Sequence, residues 1–294
     1  MSERTDAGAA PRIDLHAHSS WSDGTTDVRE LFCQAAAAGL DVLALTDHDT
    51  VSGWPELAGA VRATGVAAVP GIEVSSEEDS CSVHLLALLV DPSPDTALAA
   101  EMARARTSRA ERARRMVELI SADHPVRWED VAAQVAGEST VIGRPHIADA
   151  LVDAGVVPDR SAAFTELLRP SGPYYVPYYA PSPLDAVRAI REAGGVSVLA
   201  HPGSVTRDDD LPLTLLEALA EAGLDGIEVD HREHDEEERT RLREFARGHD
   251  LLITGGSDFH GTGKDNELGE NLTAAEVLEE IAARATSGTR ILRP

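Results

Sequence analysis

The sequence has few cysteines, few aromatic residues and no long apolar run. Its 294 residues include two cysteines, Cys33 and Cys81, which lie in unrelated contexts and do not suggest a disulfide framework. No stretch of about 18 apolar residues is present, so we expect no membrane span. Residues 1–11 lack the apolar segment of a signal peptide. We therefore expect a reduced, cytoplasmic protein whose residues 1–11 form a disordered tail.

Basic side chains are scarce relative to acidic ones. Lys and Arg together number 26, against 51 Asp and Glu, and the formal net charge is -25. A strongly acidic chain repels long polyanions, so we expect no binding to duplex DNA. A small phosphorylated ligand or a short RNA held by metal ions is still compatible with this charge.

Aromatic residues make up only 4% of a chain that is 43% hydrophobic, so the core must consist mainly of Ala, Val, Leu and Ile. Apolar runs of strand length alternate with amphipathic helices over residues 12–97 and again after residue 182. This rhythm predicts an α/β fold with a parallel sheet, and the continuous apolar runs indicate strands buried on both faces. Between about 98 and 172 only helical segments are expected. We interpret residues 12–97 and 176–294 as one barrel and residues 98–175 as a helical cap inserted into it.

The first predicted strand ends in His16-Ala17-His18. In a strand, residues i and i+2 point to the same side, so both imidazoles can face one metal ion. In closed parallel barrels, active sites collect at the carboxyl ends of the strands. The metal-competent residues that this rule brings to one rim are His16, His18, Asp23, His48, Glu73, His201, Asp258 and His260. His84 lies at the start of its predicted strand, so the rule places it less well.

This set of imidazoles and carboxylates can hold two or three divalent ions. The mixture of nitrogen and oxygen ligands suits Mn²⁺, Zn²⁺ or Fe²⁺ and does not suit Ca²⁺. The set includes no cysteine, which argues against a structural zinc site.

Five segments carry a resemblance to the PHP (polymerase and histidinol phosphatase) family. They are His16-x-His18 with Ser22-Asp23-Gly24, Thr46-Asp47-His48-Asp49, Gly71-Ile72-Glu73, Ala200-His201-Pro202 and Ser257-Asp258-Phe259-His260. The resemblance implies a distorted (β/α)7 barrel, similar to a TIM barrel, with a trinuclear metal centre. The insertion at about 98–175 resembles the cap of the subgroup that includes 3',5'-nucleotide bisphosphate phosphatases and ribonucleases that trim 5' ends.

The resemblance also implies a set of ligands for each metal ion. The first ion would be held by His16, His18, Glu73 and Asp258. The second would be held by His84, His201 and a bridging Glu73, and the third by Asp23, His48 and His260. His84 is the least secure of these assignments, because the spacing from Glu73 to this ligand varies among PHP proteins.

We expect the protein to hydrolyse the phosphate monoester of a small nucleotide by attack of a metal-bridging hydroxide. Glu73, His201 and Asp258 would carry the chemistry, and the preferred substrate would be a 3',5'-nucleoside bisphosphate. The alternative activities are 5'-3' exonuclease action on short RNA and histidinol-phosphate hydrolysis. A non-catalytic PHP module that binds metal or nucleotide is an alternative of a different class. Asp47 or Asp49 could assist the leaving group.

Positive charge near the metal ions should help to hold the phosphate. Arg144 is the first candidate because a planar guanidinium suits bidentate phosphate contact, and it would reach down from the cap. Arg207 is the second candidate, while His146 either touches substrate or caps a helix. The arginines at 104, 106, 109, 112, 114 and 115 look spread around their helix, which predicts a solvated helix with local acidic partners. We expect His124, His231, His234 and His249 to lie on the surface or behind the ligands, with His231 as the first candidate for an exception.

Overall fold

Seven strands form a nearly closed barrel in a computed structural model, which describes residues 10–79, 81–135, 142–169, 171–204 and 211–294. The strands hydrogen-bond to one another in chain order, from β1 to β7. They are β1 Ile13–Asp14, β2 Val42–Leu45, β3 Ala67–Glu78, β4 Cys81–Leu88, β5 Val196–Ala200, β6 Gly226–Asp230 and β7 Leu252–Gly255. A parallel bridge between Ala17 and Phe259 joins the segments that follow β1 and β7. The predicted distorted (β/α)7 barrel is confirmed.

Ten α-helices accompany the sheet in the described ranges. They are α1 Val28–Ala37, α2 Trp54–Thr64, α3 Ala97–Asp123, α4 Trp128–Ala133, α5 Arg144–Asp153, α6 Arg160–Ala163, α7 Pro183–Glu192, α8 Leu213–Ala222, α9 Glu236–Gly248 and α10 Ala275–Arg284. Helix α1 begins at an N-cap residue, Asp27, whose carboxylate accepts a hydrogen bond from the Glu30 N–H at 2.8 Å. None of the helices in these ranges is both long enough and apolar enough to span a bilayer.

Strand β4 runs antiparallel to both of its neighbours, which corrects the prediction of an all-parallel sheet. The reason is the length of the connection. Strand β3 continues to Glu78 and β4 begins at Cys81, whereas a parallel crossover requires a dozen or more residues. The reversal brings the start of β4 to the rim where the neighbouring strands end. His84 is consequently aligned with Ser75 of β3 and with Ala200 of β5.

Helices α3 to α6 lie between β4 and β5 in the chain and bury an apolar cluster of their own. It includes Met116 and Ile120 of α3, Leu151 of α5, and Tyr174 from the segment that leads back to the barrel. The Tyr174 hydroxyl also donates a hydrogen bond to the Asp123 carboxylate at 3.0 Å. The division into a barrel and a cap at residues 98–175 stays a prediction, and this separate cluster is the observation that favours it.

Candidate metal centre

The nine residues expected to bind metal meet at one rim of the barrel. Most of their side chains are buried; those of Asp23 and His201 are 11% exposed and that of His84 is 22% exposed. They form three overlapping groups whose potential ligand atoms lie within 4.8 Å of one another: His16, Glu73, His201 and Asp258; His48, Glu73 and His84; and His18, Asp23, His48 and His260. Each group combines imidazole nitrogen with carboxylate oxygen, as a divalent transition-metal site requires.

Four ligand atoms converge around Glu73 and Asp258. Oε2 of Glu73 lies 3.2 Å from Nε2 of His16 and 3.0 Å from Nε2 of His18. Oδ1 of Asp258 lies 3.3 Å from each of the same two nitrogens. Among the described residues, these two nitrogens and Oε2 of Glu73 are buried without a hydrogen-bond partner. A buried polar atom left unpaired is costly, so a cation among these atoms fits the arrangement.

The other oxygen of Glu73 faces a second pair of histidines. Its Oε1 lies 2.7 Å from Nδ1 of His84 and 2.9 Å from Nε2 of His201. One carboxylate therefore presents an oxygen to each of two imidazole pairs. This is the geometry that a bridging ligand between two metal ions needs.

Asp23 is the centre of the third group. Its Oδ1 lies 3.3 Å from Nε2 of His260, and its Oδ2 lies 3.7 Å from Nε2 of His48. Nδ1 of His18 also lies 3.7 Å from Oδ1 of Asp23, and the His18 and His260 rings stack with centroids 4.0 Å apart. His18 therefore lies close to ligand atoms of both the first and the third group. The predicted ligand sets assigned it to the first metal ion only.

Two of the residues expected to carry the chemistry sit on unusual backbone. His201 has φ 30° directly after β5, and Asp258 has φ 51° shortly after β7. Non-glycine residues rarely adopt positive φ, and each such conformation costs on the order of 1–3 kcal/mol. The backbone thus turns sharply at the strand ends, and both side chains join the group around Glu73.

The charges of the groups act strongly on one another. Burial alone would raise the pKa of Glu73 and of Asp258. Nearby histidines outweigh this effect and hold the pKa of Glu73 well below its usual range. Lys264 and nearby histidines likewise hold the pKa of Asp258 well below its usual range. Burial lowers the pKa of His201 to about 4 despite the neighbouring Glu73 carboxylate. The carboxylates are ionised and His201 is neutral near pH 7, which are the forms that bind metal.

Comparisons with known proteins identify the family of the chain. Residues 14–147 match the model of the PHP domain. The 3',5'-nucleoside bisphosphate phosphatase of Chromobacterium violaceum is 37% identical over 96% of this chain and 98% of its own length. The chain belongs to the PHP family. It is an enzyme, a metal-dependent phosphoesterase.

Two further relatives of this PHP protein are informative. The 5'-3' exoribonuclease of Haemophilus influenzae is 32% identical over 89% of this chain and 94% of its own length. A Bifidobacterium adolescentis structure, to which a metal-dependent phosphoesterase activity has been ascribed, is 45% identical. It superimposes with a TM-score of 0.91 over 95% of this chain and 98% of the other. The relatives therefore resemble both the barrel and the region of the cap.

Glu228, within β6 of the PHP barrel, is a supporting residue that the sequence analysis missed. Its side chain is fully buried; Oε1 lies 3.2 Å from Nδ1 of His16, and Oε2 accepts the His201 backbone N–H at 2.9 Å. A carboxylate on one ring nitrogen fixes the imidazole tautomer and directs the other nitrogen toward the metal. The only signal in the sequence is a single acidic residue inside an apolar strand, whereas the rule for barrels points to residues at strand ends.

Lys264 is a second missed residue. Its Nζ lies 2.5 Å from Oδ2 of Asp258, while its side chain is 41% exposed. His231 lies behind the same carboxylate, with Nε2 at 3.9 Å from Oδ2 of Asp258 and only 1% exposure. His234 is also buried, as expected for a residue behind the ligands.

The two acids expected to assist the leaving group are engaged elsewhere. Asp47 accepts hydrogen bonds from the backbone and hydroxyl of Ser19 and from the Ser22 hydroxyl. Asp49 accepts the Ser75 N–H at 2.8 Å and pairs with Arg109 at 3.1 Å. Both carboxylates therefore hold loops of the rim together.

The residues expected to bind substrate differ in their burial and hydrogen bonds, and the structure describes two of the three. Arg144 begins α5 and is partly buried; it donates to the Leu168 carbonyl at 3.1 Å. His146 is buried and lines a cavity of about 190 Å³ together with Asp23 and Arg160. Its Nδ1 accepts the Gly143 N–H at 3.2 Å, so the neutral ring carries its proton on Nε2. Arg207 lies outside the described residues.

The prediction of a solvated arginine helix is wrong for two residues of α3. Arg109 is 8% exposed and Arg112 is 5% exposed. Arg104, Arg114 and Arg115 are exposed as predicted. The helix thus buries part of its positive charge between the cap and the barrel, where Arg109 contacts Asp49 and Ser75.

Proposed function

We propose that this protein hydrolyses a phosphate monoester of a small nucleotide, and that a 3',5'-nucleoside bisphosphate yields the nucleoside 5'-monophosphate and phosphate. The observation that carries the proposal is the position of Glu73, whose two carboxylate oxygens face different pairs of histidines at 2.7–3.2 Å. The C. violaceum relative, which is named a 3',5'-nucleoside bisphosphate phosphatase, supports the choice of substrate.

Each part of the centre would have a distinct role. His16, His18, Glu73 and Asp258 would hold one divalent ion, and His84 and His201 would share Glu73 around a second. Asp23, His48 and His260 would hold a third, with Mn²⁺, Zn²⁺ or Fe²⁺ as the ions. When bound, such ions polarise phosphoryl oxygens and lower the pKa of water to near neutrality.

The chain's own groups would bind and orient the ester. His146 would donate from Nε2 to an oxygen of the substrate in the cavity that it shares with Asp23. Burial lowers the pKa of His146, so the ring is neutral and keeps that single proton at physiological pH. Arg144 would add positive charge from the cap.

The test combines metal analysis with a substrate panel. Purified protein should contain two to three divalent ions per chain, and it should release phosphate from a nucleoside 3',5'-bisphosphate faster than from nucleoside monophosphates or histidinol phosphate. Glu73→Gln should lose both the metal and more than about 100-fold of the activity, because even residues behind metal ligands are worth 10- to 100-fold. Glu78→Gln, at the end of the same strand, is the control. Retained activity in Glu73→Gln would exclude the proposed centre.

A 5'-3' exonuclease activity on short RNA is the second candidate, and the H. influenzae relative supports it. The panel should therefore include a 5'-phosphorylated oligoribonucleotide of a few residues. Release of 5'-mononucleotides from it at a higher kcat/KM than phosphate release from the bisphosphate would favour the exonuclease.

A further inference from the structure

Lys264 is the only lysine of the chain. Of the 26 Lys and Arg residues, all the others are arginines. Its Nζ lies 2.5 Å from Oδ2 of Asp258 and its side chain is 41% exposed, so a partly exposed stem carries the ammonium to a buried carboxylate. An ammonium is a compact point charge, whereas a guanidinium is a planar fork that can engage both oxygens of a carboxylate. The chain therefore uses its one lysine where a cation engages a single carboxylate oxygen.

The two oxygens of Asp258 have different neighbours. Oδ1 lies 3.3 Å from Nε2 of both His16 and His18, on the side where the first ion is proposed. Oδ2 lies instead beside Lys264 and at 3.9 Å from Nε2 of His231. Nδ1 of His231 accepts a backbone N–H at 3.2 Å, so its neutral ring carries a proton on Nε2, toward Oδ2. The groups at Oδ2 thus carry protons, and neither belongs to the expected metal ligands.

The segment that carries Lys264 is anchored on both sides of this residue. Before it, the Thr262 N–H donates to Oγ1 of Thr25 at 2.8 Å. After it, Nδ2 of Asn266 donates to the Ser257 carbonyl at 2.6 Å. These hydrogen bonds remove much of the backbone freedom that would otherwise have to be lost when the lysine reaches its carboxylate. The fold, and not the ion pair alone, therefore directs the ammonium toward Oδ2.

We propose that Lys264 is a positioning residue that keeps Asp258 a one-oxygen ligand, with Oδ1 facing the divalent ion and Oδ2 held by the ammonium. A carboxylate that is free to turn can bind a metal ion through both oxygens. Lys264 prevents this second contact and so leaves a coordination position of the ion to the phosphate ester, as a catalytic metal site requires. The inference rests on the proposed function, because it concerns how one ligand binds within the proposed centre.

The first test is Lys264→Met, which removes the charge and keeps most of the stem. Bound Co²⁺ should absorb visible light more weakly than in wild type, because this absorption falls as the coordination number rises. Loss of a neighbouring positive charge does not weaken cation binding, so the Co²⁺ affinity should equal or exceed that of wild type. The kcat/KM for a nucleoside 3',5'-bisphosphate should nevertheless fall about 10- to 100-fold, the range for residues behind metal ligands.

Arg232→Met is the matched control. Arg232 is 40% exposed and contacts the Glu270 carboxylate at 2.6 Å, outside the metal centre, so its loss should leave the spectrum, affinity and kcat/KM unchanged. An unchanged Co²⁺ spectrum or kcat/KM in Lys264→Met would overturn the proposal. A loss of affinity together with activity would also overturn it, because that is the result of general damage to the centre. Wild-type protein that neither binds Co²⁺ nor hydrolyses the ester would refute the proposed function, and the inference with it.

The second test needs neither a variant nor turnover. Because the chain has a single lysine, labelling with ¹⁵N-lysine gives one side-chain ammonium signal in the NMR spectrum. In Zn²⁺-loaded protein this signal should keep a shift distinct from that of the protein unfolded in urea, and its protons should exchange slowly with water. A signal that moves to the unfolded shift when Zn²⁺ is added would show that the ion displaces Lys264 from Asp258, and this result would overturn the proposal.

Discussion

Oε1 of Glu73 lies 2.7 Å from Nδ1 of His84 because the two residues stand on antiparallel strands. Reversal of β4 lets a residue near the start of a strand reach the rim at which the parallel strands end. The position of His84 is therefore a consequence of the short β3–β4 connection. The cluster of potential metal ligands therefore draws on both strand directions.

Glu228→Gln should weaken metal binding without removing any predicted ligand. The amide can still accept one hydrogen bond, but it loses the charge that orients His16 and that receives the His201 backbone N–H. We expect a 10- to 100-fold loss in metal affinity or in kcat/KM, measured by competition with a chelator and by phosphate release. Glu237→Gln, exposed on α9, is the control. Wild-type metal affinity in Glu228→Gln would contradict this role.

Metal binding should release a proton from His18. In the metal-free protein burial opposes the charged ring, but the adjacent carboxylates of Asp258 and Glu73 outweigh it and raise the pKa of His18 to about 9. A metal ligand must be neutral, so uptake at pH 7.5 should release more protons than uptake at pH 9.5, where His18 is largely deprotonated. The raised pKa of His16 adds to the release at both pH values. Calorimetry in two buffers of different ionisation enthalpy measures the difference. Heats that do not depend on the buffer at pH 7.5 would contradict the prediction.

The same shift predicts how the stability of the metal-free protein depends on pH. A histidine whose pKa is raised in the folded state stabilises that state when it is protonated. For His18 this stabilisation is complete below the unfolded pKa near 6.5 and is lost as the pH rises through about 9. The melting temperature of chelator-treated protein should therefore contain a contribution from His18 that declines between pH 6.5 and 9. A His18→Gln variant should lack that part of the decline, and an identical pH profile in this variant would argue against it.

Arg109→Met should destabilise the fold strongly. Arg109 is the ion-pair partner of Asp49. The Asp49 carboxylate is fully buried and also accepts the Ser75 N–H, and its backbone has φ 52°. Removal of one partner of a buried pair leaves an uncompensated charge and costs about 3–5 kcal/mol. Urea unfolding monitored by circular dichroism measures the change, with Arg115→Met as the control. A loss below 1 kcal/mol would show that Asp49 finds another partner.

Gly256→Ala should damage the centre by steric overlap. A Cβ at Gly256 would lie 2.4 Å from Cβ of His16 and 2.6 Å from Oε1 of Glu228. His16 or Glu228 must then move, so we expect at least a 10-fold loss of metal affinity. Gly59→Ala is the control, because nothing lies within 4 Å of its added Cβ. That change should stabilise helix α2 by about 0.5–1 kcal/mol. Normal metal binding by Gly256→Ala would refute the close approach.

Much of the architecture follows from local patterns in the sequence. Helix α9 begins at Glu236 directly after its N-cap Asp235, and α1 begins directly after its N-cap Asp27, which are start signals that a sequence displays. The strands of the parallel part also lie where apolar runs of strand length occur. These features depend only on residues that are close in the sequence, so a single sequence is enough to predict them.

The remaining features depend on partners that are distant in the sequence. The reversal of β4 depends on the short connection between Glu78 and Cys81, and apolar runs do not reveal it because β3 ends in polar residues. Glu228 resembles any isolated acid in a strand until His16, 212 residues away, is placed beside it. On α3, the burial of Arg109 and Arg112 could not be recognised in the sequence, because exposed arginines occupy the other side of the same helix. Burial of a charge cannot be predicted from the helix alone, because its counter-charges belong to other elements.

The group of His16, Glu73, His201 and Asp258 unites distant parts of the sequence, since His16 and Asp258 are separated by more than 240 residues and their nitrogen and oxygen atoms lie 3.3 Å apart. Domains fold during synthesis from the amino terminus onward, at about 5–20 residues per second. A nascent chain that has not yet exposed Asp258 lacks an anionic member of this group and the strand that precedes it. A metal ion that requires the whole group would therefore bind only after the synthesis of Asp258.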